Sequence, residues 1–235
     1  MRPFHPAYIL EVLPQLLPYI WVTAAITAET VLFGGLAGLF LAAAQLQKRA
    51  IFRLLAKLYL YITRCVPSIV MLFLVYYGLP KLLLSIGINV NAFGKGFFVV
   101  TTFSMLFAAS MSEVFRSAYE AVDKGQREAA VSIGMTQLQA FRRVVLPQCT
   151  AVALPNFTNA LVNLMKEGAL AYTIGLIDIM GKGQLMIGMN QGSYSLEIYL
   201  ALAFLYWIMT LFVEQVFRKL EKRLLKGQKA LTSVH

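Results

Sequence analysis

The chain has 235 residues, of which 59% are apolar and 14% are charged, and its mean hydropathy is +0.68. A soluble domain carries roughly 25% charged residues, and a domain of this length could not hide so much apolar surface from water. The composition excludes an ordinary soluble protein and predicts an integral membrane protein. The net charge of +10 does not indicate nucleic-acid binding, because the basic residues stand in short clusters between apolar runs.

Five apolar runs are long enough for membrane-spanning helices, each of which needs roughly 20 mostly apolar residues. We expect residues 4–15, a shorter apolar stretch, to form a helix that lies on the membrane surface. Arg64 and Pro67 interrupt the second long run, and we expect a kink there. The chain is thus predicted to be an all-α, polytopic membrane protein with a single domain. Its five predicted spans cover about 17–46, 54–84, 97–119, 151–177 and 198–217.

Lys and Arg residues are distributed unequally between the two sides of this arrangement. One side has only Arg2, Lys81, Lys95 and Lys182. The other side has the first and third connections and the C-terminal tail, with Lys48, Arg49, Arg53, Lys57, Lys124, Arg127, Arg142, Arg143, Arg218, Lys219, Lys222, Arg223, Lys226 and Lys229. Because basic loops stay in the cytoplasm, the C-terminus is predicted to be cytoplasmic and the N-terminus to lie outside.

Small residues recur in the first predicted span. Gly34, Gly35 and Gly38 include two small residues four positions apart, a spacing that lets membrane helices approach closely. We expect this face to pack against another helix of the same chain rather than against a second copy. Cys65 and Cys149 are expected to be free thiols.

The connection over residues 123–148 is the most polar long stretch of the chain. Residues 128–133 are predicted to form a short helix, and Gly134 is placed to end it, because glycine readily adopts the left-handed conformation of a helix C-terminus. Residues 135–145 should form a second short amphipathic helix. A helical knob that is held at both ends by membrane helices suits the transmission of force to and from a cytoplasmic partner.

This connection resembles the EAA loop of bacterial ABC importer permeases. The family pattern is Glu-Ala-Ala, three residues, Gly, nine residues, and an Ile-x-Leu-Pro ending. Val stands here where Ile is usual, and the matching residues are Glu128, Ala129, Ala130, Gly134, Val144, Leu146 and Pro147. The resemblance implies that Glu128, Ala129, Ala130, Gly134 and Pro147 couple this chain to an ATP-binding subunit.

Other segments are similar to the polar amino acid branch of the same family, the histidine, glutamine, arginine and cystine type. These segments are 61–80 with Arg-x-x-Pro and Tyr-Tyr-Gly-Leu-Pro, 112–126 with Glu-x-x-Arg and Lys-Gly-Gln, 164–178, and 221–223. The resemblance implies a type I ABC importer permease fold in the bacterial cytoplasmic membrane. It also implies a second permease subunit in a homodimer or heterodimer, two cytoplasmic ATP-binding subunits that hold ATP and Mg²⁺, and an extracytoplasmic solute-binding protein.

Two positions depart from the family pattern. The family sequence Lys-Glu-Thr-Ser-Leu is replaced by residues 166–170, Lys-Glu-Gly-Ala-Leu, so two hydroxyl groups that could line a pathway are missing. Glu29 stands in the middle of the first span, where the family normally has a neutral residue. Glu29 could contact the substrate or could pair with a buried cation.

Polar residues form a stripe along the fourth span. Asn156, Asn159, Asn163 and Glu167 are spaced by three, four and four residues, which places them on one face of a helix. The stripe either forms the wall of a solute pathway or hydrogen-bonds to neighbouring helices. Together, Lys166 and Glu167 would suit the carboxylate and the ammonium group of an amino acid.

Charged residues also lie in the third span and after the fourth. Glu113, Arg116 and Glu120 are spaced for ion pairs, which would order the cytoplasmic end of the helix, although Glu113 and Arg116 could also line the pathway. Arg64 is expected to reach the inner membrane surface. Asp178 and the glycine-rich residues after it should form a connection outside the membrane, which could touch a solute-binding protein.

Several kinds of site are missing from the sequence. No phosphate-binding GxxxxGK[ST] pattern occurs, so the chain is not expected to bind ATP. No nucleophile elbow or supported pair of carboxylates is found either, so the chain is expected to hold no cofactor and not to be an enzyme. No Cys and His cluster can hold a metal. An ion-coupled secondary transporter that uses Glu29 and Glu113 remains an alternative, although we find no internal repeats. A membrane enzyme or a scaffold for cytoplasmic partners is a further alternative.

Overall fold

The computed structural model of the chain describes the backbone of residues 4–232 and the side chains of residues 4–223, and every regular element in that range is helical. Of the basic residues that predict the orientation, the side chains of Arg2, Lys226 and Lys229 lie outside the described residues. The α-helices are α1 Pro6–Leu16, α2 Ile20–Gln45, α3 Ala50–Cys65, α4 Ser68–Phe73, α5 Leu79–Leu84, α6 Lys95–Glu120, α7 Lys124–Ser132, α8 Gln137–Ala140, α9 Leu146–Gly168, α10 Ile179–Met189 and α11 Ser195–Thr232.

Three helical runs of the described chain are long and apolar enough to cross a membrane by themselves. They are Pro6–Gln45, Lys95–Glu120 and Ser195–Arg223. Two further runs qualify if a bent pair of helices counts as one span, which raises the total to five. The bent pairs are Ala50–Cys65 with Ser68–Leu84, and Gln137–Ile174 with Ile179–Met189.

The N-terminal helix α1 is not the separate surface helix that its sequence predicted. A 3-10 turn, Leu17–Tyr19, joins it directly to α2 in one helical run. Val12 and Leu16 are fully buried against α10 and α11, and the backbone N–H of His5 donates a 2.8 Å hydrogen bond to the Glu197 carboxylate. A stripe of α1 is therefore packed on protein, because the apolar faces of α10 and α11 are available beside it.

The second predicted span is broken more sharply than a kink. The axes of the helices before and after Val66 and Pro67 differ by 107°. Val66 has the extended conformation (φ −93°, ψ 127°), which a residue before proline prefers because the proline ring disfavours the α conformation there. The break directs the start of α4 toward α9, where the Ser68 hydroxyl donates a 3.2 Å hydrogen bond to Glu167.

Two segments widen into π-helix, Leu74–Gly78 and Phe141–Val145. Each ends two residues before a proline, Pro80 or Pro147. A proline ring collides with the carbonyl four residues before it in an α-helix, and the additional residue of a π turn moves that carbonyl away. As a result, α8, the second π segment and α9 form one helical run that links the connection over residues 123–148 to the polar stripe.

Gly34 and Gly38, two of the three glycines of α2, lie in its interface with α6, in agreement with the predicted packing within the chain. Gly34 and Gly38 are buried there, and an added Cβ on Gly38 would lie 2.8 Å from the Met111 Cβ atom. The Gln45 side-chain amide donates a 3.3 Å hydrogen bond to the Ser112 hydroxyl at the same interface. The two helices therefore pack within the chain at a separation that only small residues permit.

The glycine-rich stretch after Asp178 is a helix rather than an irregular connection. Asp178 is 2% exposed, and its carboxylate caps α10 by accepting a 2.8 Å hydrogen bond from the Gly181 N–H. The Thr23 hydroxyl of α2 also contacts this carboxylate at 3.3 Å. A cap of this kind stabilises the first turn of a helix, so α10 forms despite its low intrinsic helix propensity.

Candidate functional site

The polar stripe of α9 faces a cavity of about 580 Å³ between α3, α6 and α9. The three asparagines and Glu167 form one wall of it, as their helical spacing predicts. The opposite walls carry further polar groups from α3 and α6. The polar side chains of the lining are Thr63, Arg64, Ser110, Glu113, Ser117, Asn156, Asn159, Asn163 and Glu167.

The charged residues of α6 form ion pairs with one another. Arg116 contacts Glu113 at 2.8 Å and Glu120 at 2.6 Å. The predicted ion pairs are therefore present, and Glu113 takes part in one while it also lines the cavity. Arg116 lies outside this lining, in a second cavity nearer the end of α6. The carboxylate of Glu113 is thus largely neutralised before any solute enters.

Arg64 and Glu167 remain available to a solute. Among the described residues, no carboxylate lies within 4.0 Å of the Arg64 guanidinium group. Among the described residues, Glu167 accepts a hydrogen bond from the Ser68 side chain only, and no Lys or Arg side chain in that range forms an ion pair with it. One cavity therefore presents a guanidinium group and a carboxylate that have no ion-pair partner among the described residues, and the two are complementary to the charged groups of an amino acid.

Two residues predicted for the pathway lie elsewhere. Lys166 does not line the cavity, because it precedes Glu167 by one residue and so points about 100° away from the stripe. Glu29 is exposed on α2, because it precedes Thr30 by one residue and so points about 100° away from the buried stripe, which contains Thr30 and Gly34. The structure does not bring Lys166 or Glu29 together with the other predicted pathway residues.

Four polar residues of the cavity were not predicted as pathway residues: Thr63, Arg64, Ser110 and Ser117. Arg64 was expected to reach the membrane surface, because a basic residue in a span usually does. Its position in the cavity follows from the break at Pro67, which ends α3 at the level of the α9 stripe. The break was visible in the sequence as Arg-x-x-Pro, but the direction in which the chain continued was not.

The end of α7 has the geometry that its glycine predicted. Gly134 has φ +92°, its N–H donates to the Val131 carbonyl at 2.9 Å, and the Met135 N–H donates to the Ala130 carbonyl at 3.2 Å. These two bonds constitute a Schellman motif, which satisfies the last carbonyls of a helix. The helix therefore stops at a defined point and the chain turns sharply.

Side-chain caps hold the rest of the connection in place. Asp123 caps α7 by accepting a 2.6 Å hydrogen bond from the Gly125 N–H. Thr136 and Gln139 form a capping box at the start of α8, with reciprocal side-chain to backbone bonds of 3.3 and 2.9 Å. The Arg127 guanidinium group donates a 2.8 Å bond to Gln137 and ties α7 to α8. The knob is thus a rigid unit.

The two alanines of the Glu-Ala-Ala sequence have different surroundings. Ala129 is exposed, whereas Ala130 is 5% exposed and packs inside the knob. Glu128 lines a groove of about 940 Å³ between α7 and the end of α6. Ile133 and Leu138 are 77% and 64% exposed. The outer surface of the knob therefore combines one carboxylate with two apolar side chains, which suits a protein partner.

Residues 34–226 match the family model described as "Binding-protein-dependent transport system inner membrane component". The chain is 39% identical to an L-cystine transport system permease protein of Bacillus subtilis, over 99% of this chain and 97% of that protein. It is 37% identical to a probable amino-acid ABC transporter permease protein of Vibrio harveyi, over 85% and 87% of the two chains.

The fold is similar to that of a solved amino acid ABC transporter crystallised with histidines, with a TM-score of 0.79 and 27% identity over 94% of this chain and 100% of that one. A chain of the MetNI methionine ABC transporter shares the fold at 20% identity, with a TM-score of 0.67 over 89% and 95% of the two chains. These matches do not favour an ion-coupled transporter. The chain is a member of the binding-protein-dependent transport family of inner membrane components, and it is the permease subunit of an ABC importer.

Proposed function

We propose that this permease carries a polar amino acid, or a closely related small solute, into the cytoplasm by alternating access. The observation that carries the proposal is the cavity beside α9, in which Arg64 and Glu167 have no ion-pair partner among the described residues. An amino acid has one carboxylate and one ammonium group, and each needs a partner of opposite sign when it leaves water. The relatives named for cystine and other amino acids support the same class of solute.

In this proposal Arg64 binds the solute carboxylate, because a guanidinium group can donate two parallel hydrogen bonds to it. Glu167 accepts hydrogen bonds from the ammonium group. Asn159 and Asn163, one turn apart on α9, offer both donors and acceptors to the polar atoms that remain. The charged groups of the solute thus exchange water for protein partners and are not left unpaired in the membrane.

The energy comes from ATP that is bound with Mg²⁺ by two cytoplasmic partner subunits. The knob formed by α7 and α8 docks on one of them, with Glu128 and the exposed Ile133 in the contact. Its rigid connection to α9 conveys the closure of the ATP-binding subunits to the cavity wall. A second permease subunit, identical or different, covers the exposed asparagines, and an extracytoplasmic solute-binding protein delivers the solute. The C-terminus and the knob lie in the cytoplasm, and the N-terminus lies outside.

The proposal is tested by co-expressing the chain with candidate ATP-binding subunits and purifying the complex through a tag on this chain. We expect an ATPase to co-purify, and its activity to rise when a solute-loaded binding protein is added. The set of amino acids that produces this rise identifies the substrate. A chain that purifies alone, as a stable solute-binding dimer without an ATPase, would contradict the proposal.

Replacement of Glu167 by glutamine is expected to lower amino acid uptake about 10- to 100-fold, because a hydrogen bond to a charged group contributes about 1.5–3 kcal/mol. Lys166→Gln is the matched control, since it removes a neighbouring charge outside the cavity lining and should leave uptake within about twofold of wild type. Both are measured with radiolabelled amino acid in proteoliposomes that contain the whole complex. Equal losses of uptake in the two variants would contradict the proposal that Glu167 binds the solute in the cavity.

A further inference from the structure

A second cavity, of about 670 Å³, lies between the end of α2, the length of α3 and the end of α6. Its lining contains more cations than carboxylates, with four basic and two acidic side chains. It also contains Cys65, an exposed free thiol. The charged residues that line it are Arg53, Lys57, Arg64, Glu113, Arg116 and Glu120.

The cations of α3 form a stripe along one side of this second cavity. Arg53 and Lys57 are four residues apart, and Arg64 follows after two further turns, so the three share a face of the helix. Both carboxylates across the cavity are already bound by Arg116. None of the three α3 cations has a carboxylate within 4.0 Å among the described side chains. The cavity therefore carries an uncompensated positive charge.

The second cavity continues the first one toward the end of the molecule that carries the knob. Arg64 and Glu113 line both cavities. At the other end, Leu46 and Glu120 line both the second cavity and the groove beside α7. A solute that leaves the cavity beside α9 in this direction passes from Arg64 to Lys57 and then to Arg53.

We propose that the second cavity is the exit vestibule of the permease, and that its stripe of cations draws the solute by its carboxylate from Arg64 toward the cytoplasm. The proposal rests on the proposed function, and it adds a substrate class. A vestibule with excess positive charge favours amino acids whose net charge is zero or negative and repels cationic ones. The phosphate of an anionic lipid could bind the same cations, and the experiment distinguishes lipid phosphate from solute carboxylate.

Cys65 provides a probe of the vestibule that the chain already contains. The complex is assembled with Cys149→Ala in this chain and reconstituted in lipid nanodiscs, which leave both faces open. The thiol is then modified with an anionic sulfonate reagent or with a cationic trimethylammonium reagent of the same methanethiosulfonate type. The two rate constants are obtained from the mass of this chain, and their ratio is divided by the ratio for free cysteine.

We expect the anionic reagent to react about 1.5- to 7-fold faster than the cationic one, because Lys57 and Arg53 lie roughly 12 and 18 Å along α3 from Cys65 and salt screens their charges. The double variant Arg53→Gln/Lys57→Gln should bring the ratio close to one. Lys48→Gln/Arg49→Gln removes the same charge from nearby residues that do not line the cavity and should preserve the ratio. An amino acid substrate of zero net charge at millimolar concentration should slow the modification, whereas its methyl ester, which lacks the carboxylate, should not.

Three outcomes would contradict the proposal of an exit vestibule. The first is a wild-type ratio of one or below, and the second is an equal fall of the ratio in the two double variants. The third is a ratio that follows the anionic lipid content of the nanodisc and ignores the amino acid, which would assign the stripe to lipid phosphate. ATP hydrolysis is measured on the same preparations to distinguish the two proposals. If the loaded binding protein stimulates it, the proposed importer function is supported, whatever the reaction rates of Cys65 show.

Discussion

Gly38→Leu should lower the yield and the melting temperature of the permease complex, because α2 and α6 meet at that position without space for a side chain. An added Cβ would lie 2.8 Å from the Met111 Cβ and 3.1 Å from the Ala108 carbonyl oxygen. No change of rotamer can move a Cβ atom or a backbone carbonyl, so the helices themselves must separate. Overpacking of this kind costs about 1–3 kcal/mol per site, or more, and Gly34→Leu should behave in the same way.

Gly35→Leu is the matched control for this substitution. Gly35 lies in the same helix, but an added Cβ there meets nothing within 4 Å. The yield of monodisperse complex and its melting temperature should therefore stay near wild type for Gly35→Leu and fall for the other two variants. If all three variants lost the complex equally, the cause would be the replacement of glycine in this helix in general, and not the contact with α6.

Gly134→Val is expected to reduce amino acid uptake at least tenfold while the membrane helices remain folded. Gly134 has φ +92°, and an added Cβ there meets nothing within 4 Å, so the substitution is opposed by backbone conformation and not by lack of space. The left-handed region costs L-residues roughly 1–2 kcal/mol, and β-branched residues reach it least readily. The Schellman motif should open, and the knob should lose its defined end.

Gly134→Asn separates conformation from size, because asparagine tolerates the left-handed region. It should retain most of the uptake, although its side chain is similar in volume to that of valine. Uptake, stimulated ATP hydrolysis and the amount of co-purified ATP-binding subunit should be measured for both variants. Equal losses would mean that the position must be free of any side chain, for instance because the partner subunit lies against it.

Helical periodicity explains why part of the cavity was predictable. Asn159, Asn163 and Glu167 share a face in any straight helix, and the apolar run around them left no other secondary structure for that segment. The glycine cap of α7 was predictable for a similar reason, since it depends on local conformation alone. Features that depend on one residue and its neighbours in sequence could be derived before the fold was known.

The features that were missed depend on contacts between distant segments. Arg64 reaches the cavity because the chain turns by 107° after it, and a proline indicates such a break without its direction. The helix α10 forms on a glycine-rich sequence because those glycines allow close packing. An added Cβ on Gly183 would lie 2.6 Å from the side chain of Leu202 in α11. In each case the deciding interaction is tertiary, and local propensity pointed elsewhere.

The π segment Phe141–Val145 sets how α8, in the knob, is rotated relative to α9, in the cavity wall. A π turn contains one residue more than an α turn would, and one residue amounts to about 100° of rotation and 1.5 Å of rise. The segment therefore sets the phase angle between α8 and α9 independently of how long either helix is. An inserted or deleted residue here would therefore turn a different face of α9 toward the cavity for the same placement of the knob.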